Sequence, residues 1–245
     1  MSRRVIGLVA AAGKGSRLGA QIPKAFVTLR ERSLVERSVT AMINSAVVDE
    51  VIVLVSPDMD GYARELLGKR GLLDAEIPVR LVHGGGERAD SVWAGLQSIP
   101  DEDAVVLIHD SARALTPPGL IARVARAVLH GAPAVIPVVP VADTIKRVEG
   151  DAVVDTPDRA SLRAVQTPQG FDLAGLRAAN EAYFAAADPG FVATDDASLM
   201  EWFGAPVTCV QGDPMAFKVT TPIDMKLART IVDEAEPTVF EVPSA

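Results

Sequence analysis

The stretch VIGLVAAAGKGSRLGAQIPK at residues 5–24 decides the fold of this chain. Residues 5–10 form an apolar run typical of a buried strand, and a loop of small residues with glycines at positions 13 and 15 follows it. Such a loop exposes backbone N–H groups at close range, and Arg17 and Lys24 add positive charge beside them. We therefore expect residues 10–24 to hold a polyanion, most simply a triphosphate.

This loop matches neither common phosphate-binding fingerprint. It contains no G-x-x-x-x-G-K-[ST], and Leu18 stands where the third glycine of G-x-G-x-x-G belongs. The pattern thus argues against a P-loop and a dinucleotide site. On the loop alone, an ordinary strand-to-helix turn remains open.

Composition sets further bounds. The chain has 245 residues, is 49% hydrophobic and only 4% aromatic, and carries a formal charge of −8 with a pI near 5.0. An acidic chain of this kind does not suit broad binding to nucleic acid or an anionic membrane, because both need surplus Lys and Arg. The single cysteine, Cys209, excludes an internal disulfide and a multi-cysteine metal cage. It lies in an apolar run at residues 206–210, where we expect it to be buried.

The first residues resemble a secretory signal, with Arg3 and Arg4 ahead of an apolar run. That run is broken at once by Gly13, Lys14 and Gly15, and no apolar segment approaches the length of a membrane span. With one cysteine, the chain fits a reducing compartment. We expect a cytoplasmic protein.

The rest of the chain alternates between apolar runs and amphipathic stretches. Strands are predicted at residues 5–10, 51–55, 79–82, 104–108 and 134–139, and helices at 57–70, 87–98 and 118–129, with a further helix capped by Ser33. This order predicts an α/β fold with a mostly parallel sheet covered by helices on both faces. Ligands of such sheets bind beyond the carboxyl ends of the strands.

Polar residues follow the ends of three of these strands. The glycine loop follows the first, HGGGERADS at residues 83–91 follows the third, and HDSAR at residues 109–113 follows the fourth. We expect the three to meet in one crevice, where Asp110 binds a metal and Arg113 a phosphate. A plain capped turn with an Asp110–Arg113 ion pair is the alternative reading of HDSAR.

Beyond residue 139 the alternation stops. Residues 145–148 and 152–154 predict a β-hairpin inside a polar excursion at about 141–163, which we interpret as an arm that leans on a partner subunit. A solvated surface excursion is the alternative. Helices at 172–187 and 197–203, a strand at 215–219 carrying Lys218, and a closing helix from Thr221 and Pro222 to residue 232 complete the chain. We expect one domain over residues 1–235, a flexible tail at 236–245, and no fused second enzyme after residue 245.

Taken together, the motifs resemble the 2-C-methyl-D-erythritol 4-phosphate cytidylyltransferase family of the non-mevalonate isoprenoid pathway. The resemblance rests on segments that occur in one order, namely AAAGKGSRLG with PKAF, GGGERADSV, HDSAR, ADTIKR, PDRASLRAVQTPQGF, TDDASLME and FKVTTPID. It implies a Rossmann-like nucleotidyltransferase fold with a protruding β-arm and a homodimer with arm exchange. CTP, a methylerythritol phosphate and Mg²⁺ are the implied substrates and cofactor.

The resemblance also assigns roles, residue by residue. It places on the nucleotide Ala11, Ala12, Gly13, Gly85, Ser91 and Ser111. It names as catalytic Arg17, Lys24, Lys218 and Asp110, with Asp110 also on the metal. It places on the acceptor Arg113, Thr144, Arg159, Thr167 and Thr194, of which Thr144 and Arg159 reach the neighbouring subunit's site. Gly86 and Ser111 depart from residues frequent in the family, and Gly86 bears on the choice of base.

The implied chemistry suits a chain with only three histidines. A phosphate monoester has a second pKa of about 6, so near neutral pH the acceptor is already a nucleophile and needs no general base. Three other readings remain open: a ribitol 5-phosphate cytidylyltransferase, a glycosyltransferase, and a non-catalytic nucleotide-binding module. A glycosyltransferase would favour a D-x-D motif, of which HDSAR supplies only Asp110.

Overall fold

The computed structural model of the chain describes residues 3–13 and 22–234, and its centre is a mixed eight-stranded sheet. The strands are β1 (Arg4–Ala10), β2 (Thr28–Leu29), β3 (Arg32–Ser33), β4 (Glu50–Val55), β5 (Val79–His83), β6 (Ala104–Asp110), β7 (Ala134–Pro140), β8 (Arg147–Glu149), β9 (Ala152–Asp155), β10 (Arg163–Val165), β11 (Gln169–Asp172) and β12 (Val207–Gln211). The α-helices are α1 (Leu34–Asn44), α2 (Asp60–Lys69), α3 (Arg88–Gln97), α4 (Pro118–Leu129), α5 (Leu173–Ala185), α6 (Asp196–Trp202) and α7 (Pro222–Glu234). The predicted helices and the first five predicted strands are confirmed to within a few residues.

The order of strands explains where a ligand can bind. Along the sheet the order is β10-β7-β11-β6-β1-β4-β5. A further strand, β12, also pairs with β7, in parallel. Strands β6, β1, β4 and β5 pair in parallel, whereas β10 and β11 run antiparallel to their neighbours. The predicted fold class, a mostly parallel α/β sheet, is therefore confirmed. The carboxyl ends of β1, β5 and β6 share one edge.

Both faces of the sheet are buried, which accounts for the continuous apolar runs in the sequence. Along β4, Val51 and Val53 face a core cluster built with α1, α2 and α4, and Ile52 and Leu54 face a second cluster built with α3, α5 and α6. All four are fully buried. Apolar residues are thus required at each of these four positions.

Local sequence signals fix how two helices dock. Ser33 caps α1, as predicted. Ser33 and Glu36 form a capping box, in which the side chain of each residue accepts a hydrogen bond from the backbone N–H of the other. In α3, Gly95 permits a close approach to the sheet: a Cβ there would lie 2.8 Å from the side chains of both Leu54 and Leu8. This approach brings the start of α3 to the edge where β1 and β6 end.

Two predictions are wrong. Residues 215–219 do not form a strand, since Pro214–Ala216 is a short 3-10 helix initiated by Asp213, whose side chain accepts from the N–H of Met215 at 2.8 Å. Cys209 is exposed instead of buried. It lies on β12, an edge strand that pairs with β7, so that one side of the strand and much of its surface meet solvent.

The predicted hairpin at residues 145–154 is confirmed as β8 and β9, which pair with each other in a sheet of their own. Every residue of the two strands is exposed. The single-domain prediction over residues 1–235 stays untested, and the tail at 236–245 lies outside the described residues. Within the described ranges, no helix combines the length and hydropathy that a bilayer crossing requires.

Candidate active site

A cavity of about 340 Å³ opens at the shared carboxyl edge of β1, β5 and β6. Its lining comes from the three segments predicted to converge and from the two predicted lysines: Ala10, Ala11, Ala12, Gly13, Lys24, Ala25, Gly86, Glu87, Arg88, Ser91, Asp110, Ser111, Ala112 and Lys218. Residues 10–13, which begin the glycine loop, therefore share one cavity with Lys24, Arg88 and Lys218. Such a lining suits a polyanionic ligand.

Asp110, the last residue of β6, is the acidic centre of this cavity. Its Oδ2 accepts from the Lys218 ammonium at 2.7 Å, and its Oδ1 lies 3.4 Å from the Nε of Arg88. Burial alone would raise the pKa of the Asp110 carboxyl, but Arg88 and Lys218 outweigh burial and hold that pKa well below its usual range. Asp110 is thus a carboxylate at any physiological pH.

Arg88 is the first residue of α3 and joins two carboxylates. Besides Asp110, it contacts Asp196, the first residue of α6, through Nη2–Oδ2 at 2.6 Å. The Asp196 side chain is only 5% exposed. Burial alone would lower the pKa of the guanidinium, and the two carboxylates instead raise it. Burial raises the pKa of Asp196, and the pair with Arg88 opposes that rise.

A layer of neutral polar groups supports Asp110 from beneath. The Thr167 hydroxyl oxygen accepts from the backbone N–H of Asp110 at 3.1 Å and lies 3.0 Å from Nδ1 of His109. His109 is fully buried, and its Nε2 has no partner among the described residues. Burial lowers the pKa of His109 to about 4, so the imidazole is neutral near pH 7. The buried Thr167 therefore holds the end of β6 in place through its bond with the N–H of Asp110.

Ser111 and Ser91, two of the residues that the resemblance assigns to the nucleotide, contact nearby backbone carbonyl groups. The Ser111 hydroxyl donates to the carbonyl oxygen of Ala10 at 2.7 Å, which ties β6 to the start of the glycine loop. Ser91 Oγ lies 3.3 Å from the carbonyl oxygen of Glu87 and 3.5 Å from that of Gly85. Gly86 has φ of +64°, a conformation that favours glycine. This conformation gives a local structural reason for a glycine at position 86, where the sequence departs from residues frequent in the family that it resembles.

Lys218 reaches the cavity from a non-strand segment, residues 217–220, that is fixed on both sides. The N–H of Val219 donates to the carbonyl oxygen of Ala112 at 2.8 Å, and Val219 is fully buried. Thr221 caps α7, as predicted, and Asp224 accepts from the N–H groups of Thr220 and Thr221. Lys218 is therefore held in the cavity by its flanking residues, although the strand predicted around it is absent.

The other predicted residues within the described ranges lie outside the cavity lining, as do Gly85 and Thr167. Arg113 does not pair with Asp110. Its Nη1 and Nη2 donate instead to the carbonyl oxygens of Ala216 at 2.7 Å and Val165 at 3.1 Å. Burial lowers the pKa of Arg113, and the nearby Asp110 opposes this. Thr194 is exposed at the start of the α6 segment, with its Oγ1 3.4 Å from Ser198 Oγ.

Thr144 and Arg159 lie on the arm. Arg159 donates to the carbonyl oxygen of Ala142 at 2.7 Å and lines a second cavity, of about 690 Å³, together with Pro140 and Arg163. Thr144 is exposed. Arg17, which the sequence assigns to the triphosphate, lies outside the described residues. Within one described chain, then, Arg159 and Asp110 line separate cavities.

The Asp110 carboxylate is the cavity's candidate ligand for a magnesium ion. In the described part of the chain, no cluster of three or more His, Cys, Asp and Glu side chains could by itself hold a metal. Asp110 is a deprotonated oxygen ligand that lines the cavity, and Mg²⁺ is commonly held by one or two carboxylates with substrate phosphates and waters. The residues present therefore fit a magnesium ion that arrives with a nucleotide, and do not fit a metal held by protein alone.

Sequence reasoning missed three residues of this site: Arg88, Asp196 and His109. Arg88 lies in HGGGERADS and Asp196 in TDDASLME, and nothing in either segment indicates that the two residues pair. Their ion pair joins positions 108 residues apart. The signal available was that both charged residues begin helices at the carboxyl edge of the sheet. His109 was visible only as the first polar residue after the strand predicted at residues 104–108.

The fold and the site define a class. A mostly parallel α/β sheet with a glycine loop, lysines and a carboxylate at the carboxyl edge is typical of nucleotidyltransferases. The family model described as "IspD: 2-C-methyl-D-erythritol 4-phosphate cytidylyltransferase" matches residues 5–234. The chain belongs to this family.

Relatives and solved structures agree with that assignment. A 2-C-methyl-D-erythritol 4-phosphate cytidylyltransferase of Corynebacterium efficiens is 78% identical over 241 residues, covering 98% of this chain and 97% of the relative. One from Rhodococcus jostii is 50% identical over 231 residues, covering 94% and 96%. The crystal structure of 4-diphosphocytidyl-2C-methyl-D-erythritol synthase from Anaerococcus prevotii superposes with a TM-score of 0.81 at 27% identity, covering 95% of this chain and all of that one. The crystal structure of the 2-C-methyl-D-erythritol 4-phosphate cytidylyltransferase from Thermus thermophilus superposes with a TM-score of 0.72 at 36% identity, again covering 95% of this chain and all of that one.

Proposed function

We propose that the Asp110 cavity is the active site in which this chain performs its family's reaction. As a member of that family, the chain is a cytidylyltransferase that joins CTP and 2-C-methyl-D-erythritol 4-phosphate to give 4-diphosphocytidyl-2-C-methyl-D-erythritol and pyrophosphate. The observation that carries the location of the site is the meeting of the glycine loop, Lys24, Lys218 and Asp110 in one cavity at the carboxyl edge. Ribitol 5-phosphate transfer and nucleotide binding without catalysis have no observation in their favour.

The reaction needs charge stabilisation more than proton transfer. An oxygen of the acceptor phosphate attacks the α-phosphorus of CTP, the bond from that phosphorus to the β-phosphate oxygen breaks in line, and pyrophosphate leaves. With a second pKa of about 6, the acceptor phosphate is largely dianionic at neutral pH. His109 is unsuited to be a general base, since it is buried and bonded to Thr167. The site therefore works by positioning and electrostatics.

Lys24 and Lys218 supply positive charge where the leaving pyrophosphate develops charge. Both side chains line the cavity, and Lys218 is held on Asp110 by its ammonium group. Arg17 is proposed as a third cation of this group, on the resemblance alone. Asp110 would hold a magnesium ion, which when bound supplies further neutralisation of the triphosphate.

The acceptor half of the site is proposed to need a second copy of the chain. The arm's Arg159 and Thr144 belong to a segment whose apolar side chains are exposed: Ile145, Val148, Val153 and Val154 have between 39% and 59% of their surface free. Exposed apolar residues on a hairpin are typical of a contact surface. A homodimer that exchanges arms would cover them and bring Arg159 to the neighbour's acceptor phosphate. We also propose a cytoplasmic location, on the strength of the cysteine usage.

The direct test is an assay of pyrophosphate release with Mg²⁺ across the four nucleoside triphosphates and a panel of polyol phosphates. The proposal expects release with CTP and 2-C-methyl-D-erythritol 4-phosphate, and at least about 10²-fold less with either partner replaced, because buried polar groups that read a substrate reject one that leaves them unpaired. Faster release with ribitol 5-phosphate would reassign the acceptor. CTP binding without any release would support the binding-module reading.

A further inference from the structure

The charge bridge formed by Asp110, Arg88 and Asp196 crosses the cavity edge and has no assigned role. Its central residue, Arg88, begins α3 directly after residues 84–87, and Asp196 begins α6 two residues after Thr194. Asp110 ends β6 between them. One guanidinium thus joins the nucleotide side of the site, the central carboxylate and the segment assigned to the acceptor.

The two cations on Asp110 differ in how firmly they are held. Among the described residues, Lys218 has one side-chain partner, Asp110, and its side chain is 42% exposed. Arg88 is bound at two points by two carboxylates, and its side chain is 32% exposed. A flexible ammonium can transfer to an incoming phosphate, whereas a guanidinium with two fixed carboxylates has lost that freedom.

Binding of a triphosphate places several negative charges beside Lys218. If Lys218 moves toward them, Oδ2 of Asp110 loses its partner, and Arg88 on Oδ1 becomes the cation that holds the carboxylate. We propose, on the basis of the proposed function, that Arg88 is a positioning residue of the reaction. Arg88 keeps Asp110 in place while Lys218 leaves this carboxylate and pairs with the nucleotide. The ion pair with Asp196 keeps Arg88 from moving to the nucleotide as well.

A simpler role for Arg88 would be to neutralise the buried Asp196. Loss of the cation from a buried ion pair is strongly destabilising, so Arg88→Gln alone cannot separate the two roles. The double variant Arg88→Gln with Asp196→Asn can, because it removes the buried charge together with its partner. A structural role predicts that both stability and turnover return, and a positioning role predicts that stability returns alone.

The test uses the full chain in four forms: wild type, Arg88→Gln, Arg88→Gln with Asp196→Asn, and the control Arg64→Gln, which breaks an exposed arginine–aspartate pair on α2. The measurements are the melting temperature, CTP affinity by titration calorimetry without acceptor, and kcat and KM from pyrophosphate release. Wild-type release with CTP and acceptor tests the proposed function independently of the variants.

The positioning role predicts that the double variant melts near wild type, binds CTP within about threefold, and loses about 10²-fold in kcat, as expected when a reacting geometry is displaced by about 1 Å. Arg64→Gln should leave all values unchanged. A double variant with kcat within about threefold of wild type would overturn the proposal. So would a variant whose loss lies mainly in CTP affinity, since Arg88 would then be a phosphate ligand.

Discussion

At the scale of single residues, the site is a balance of few charges in a small volume. Asp110 faces Arg88 and Lys218, and Arg88 faces Asp196, so these four side chains carry two positive and two negative charges. An entering triphosphate adds negative charge to a neutral set, and Lys24 also lines the space it enters. In the free protein, Lys218 is therefore paired with the Asp110 carboxylate, which we propose the nucleotide replaces as its partner.

Lys218→Ala should lower turnover by about 10²-fold, the loss expected when one group that stabilises developing charge is removed. Steady-state release of pyrophosphate measures the effect. Lys226→Ala, on the exposed face of α7, is the matched control and should keep wild-type turnover. A Lys218→Ala enzyme with near-normal turnover would remove Lys218 from the catalytic group.

At the scale of elements, the closing helix holds Lys218 through its first turn. Asp224 accepts from the N–H of Thr220 at 2.9 Å, from its hydroxyl at 2.8 Å and from the N–H of Thr221 at 2.7 Å. Burial works against this carboxylate, but these donors outweigh it and lower the pKa of Asp224 to about 2 from an ordinary value of 3.8. The charged form is therefore bound more tightly in the folded protein than in the unfolded chain.

Asp224→Ala should lower the melting temperature at pH 7 by about 2–4 °C, since the loss of a helix cap costs about 1 kcal/mol. A carboxyl whose folded pKa is depressed stabilises the fold above its unfolded pKa and loses that effect as pH falls toward the folded value. The gap between wild type and Asp224→Ala should therefore narrow as the pH falls from about 5 to about 2. Scanning calorimetry across that range checks it, and a gap independent of pH would show that the charge of Asp224 does not stabilise the cap.

The docking of α3 offers a second test at this scale. A side chain at Gly95 would press on Leu8 and Leu54, both fully buried, and would push the helix that begins with Arg88 away from the sheet. Gly95→Val should therefore cost about 1–3 kcal/mol in the free energy of unfolding, the usual cost of overpacking a core. Urea unfolding measures it. Gly61→Val, at an open position of α2, is the comparison that separates crowding from the change in helix propensity.

The elements show which parts of the architecture are readable from sequence. Continuous apolar runs predicted β1, β4 and β6, because strands buried on both faces admit little else. Apolar stretches also predicted β5 and β7, which are only partly buried. Strands β10 and β11 escaped prediction, since their pairing with β7 is antiparallel and comes from a polar return segment. The apolar run around Cys209 predicted that this residue is buried, but an apolar run does not show that its segment lies at the edge of a sheet. Residues 215–219 were misjudged because the turn signal of Pro214 outweighed their apolar pattern.

The site was readable to a similar extent. The rule that ligands lie beyond the strand ends brought Lys24, Ser91 and Asp110 together correctly. It could not foresee that Arg113 would be tied to backbone carbonyl groups or that Arg88 would take its place beside Asp110. Which arginine reaches a carboxylate depends on side-chain packing between helices distant in sequence, and no local pattern encodes it.

At the scale of the whole molecule, the exposed arm is the feature that points beyond one chain. Its hairpin lies apart from the main sheet, and its apolar side chains lie on the surface. If each arm completes its neighbour's site, variants damaged in different halves should complement one another.

Mixing Arg159→Ala with Lys24→Ala subunits should restore activity. In each hybrid dimer one site carries both substitutions and the other carries neither, so random exchange of equal amounts leaves about one quarter of all sites intact. Activity recovered to about that fraction supports arm exchange. Activity that stays at the level of the separate variants, when labelled subunits are seen to exchange, would contradict it.

The central claim is that the cavity at the carboxyl edge of β1, β5 and β6 is where pyrophosphate is released from CTP. The most direct measurement is the turnover of Lys24→Ala with CTP, Mg²⁺ and 2-C-methyl-D-erythritol 4-phosphate, beside Lys69→Ala on the exposed surface of α2. We predict a loss of at least about 10²-fold for Lys24→Ala and none for Lys69→Ala, with the melting temperatures unchanged. Wild-type turnover in a folded Lys24→Ala enzyme would contradict the claim.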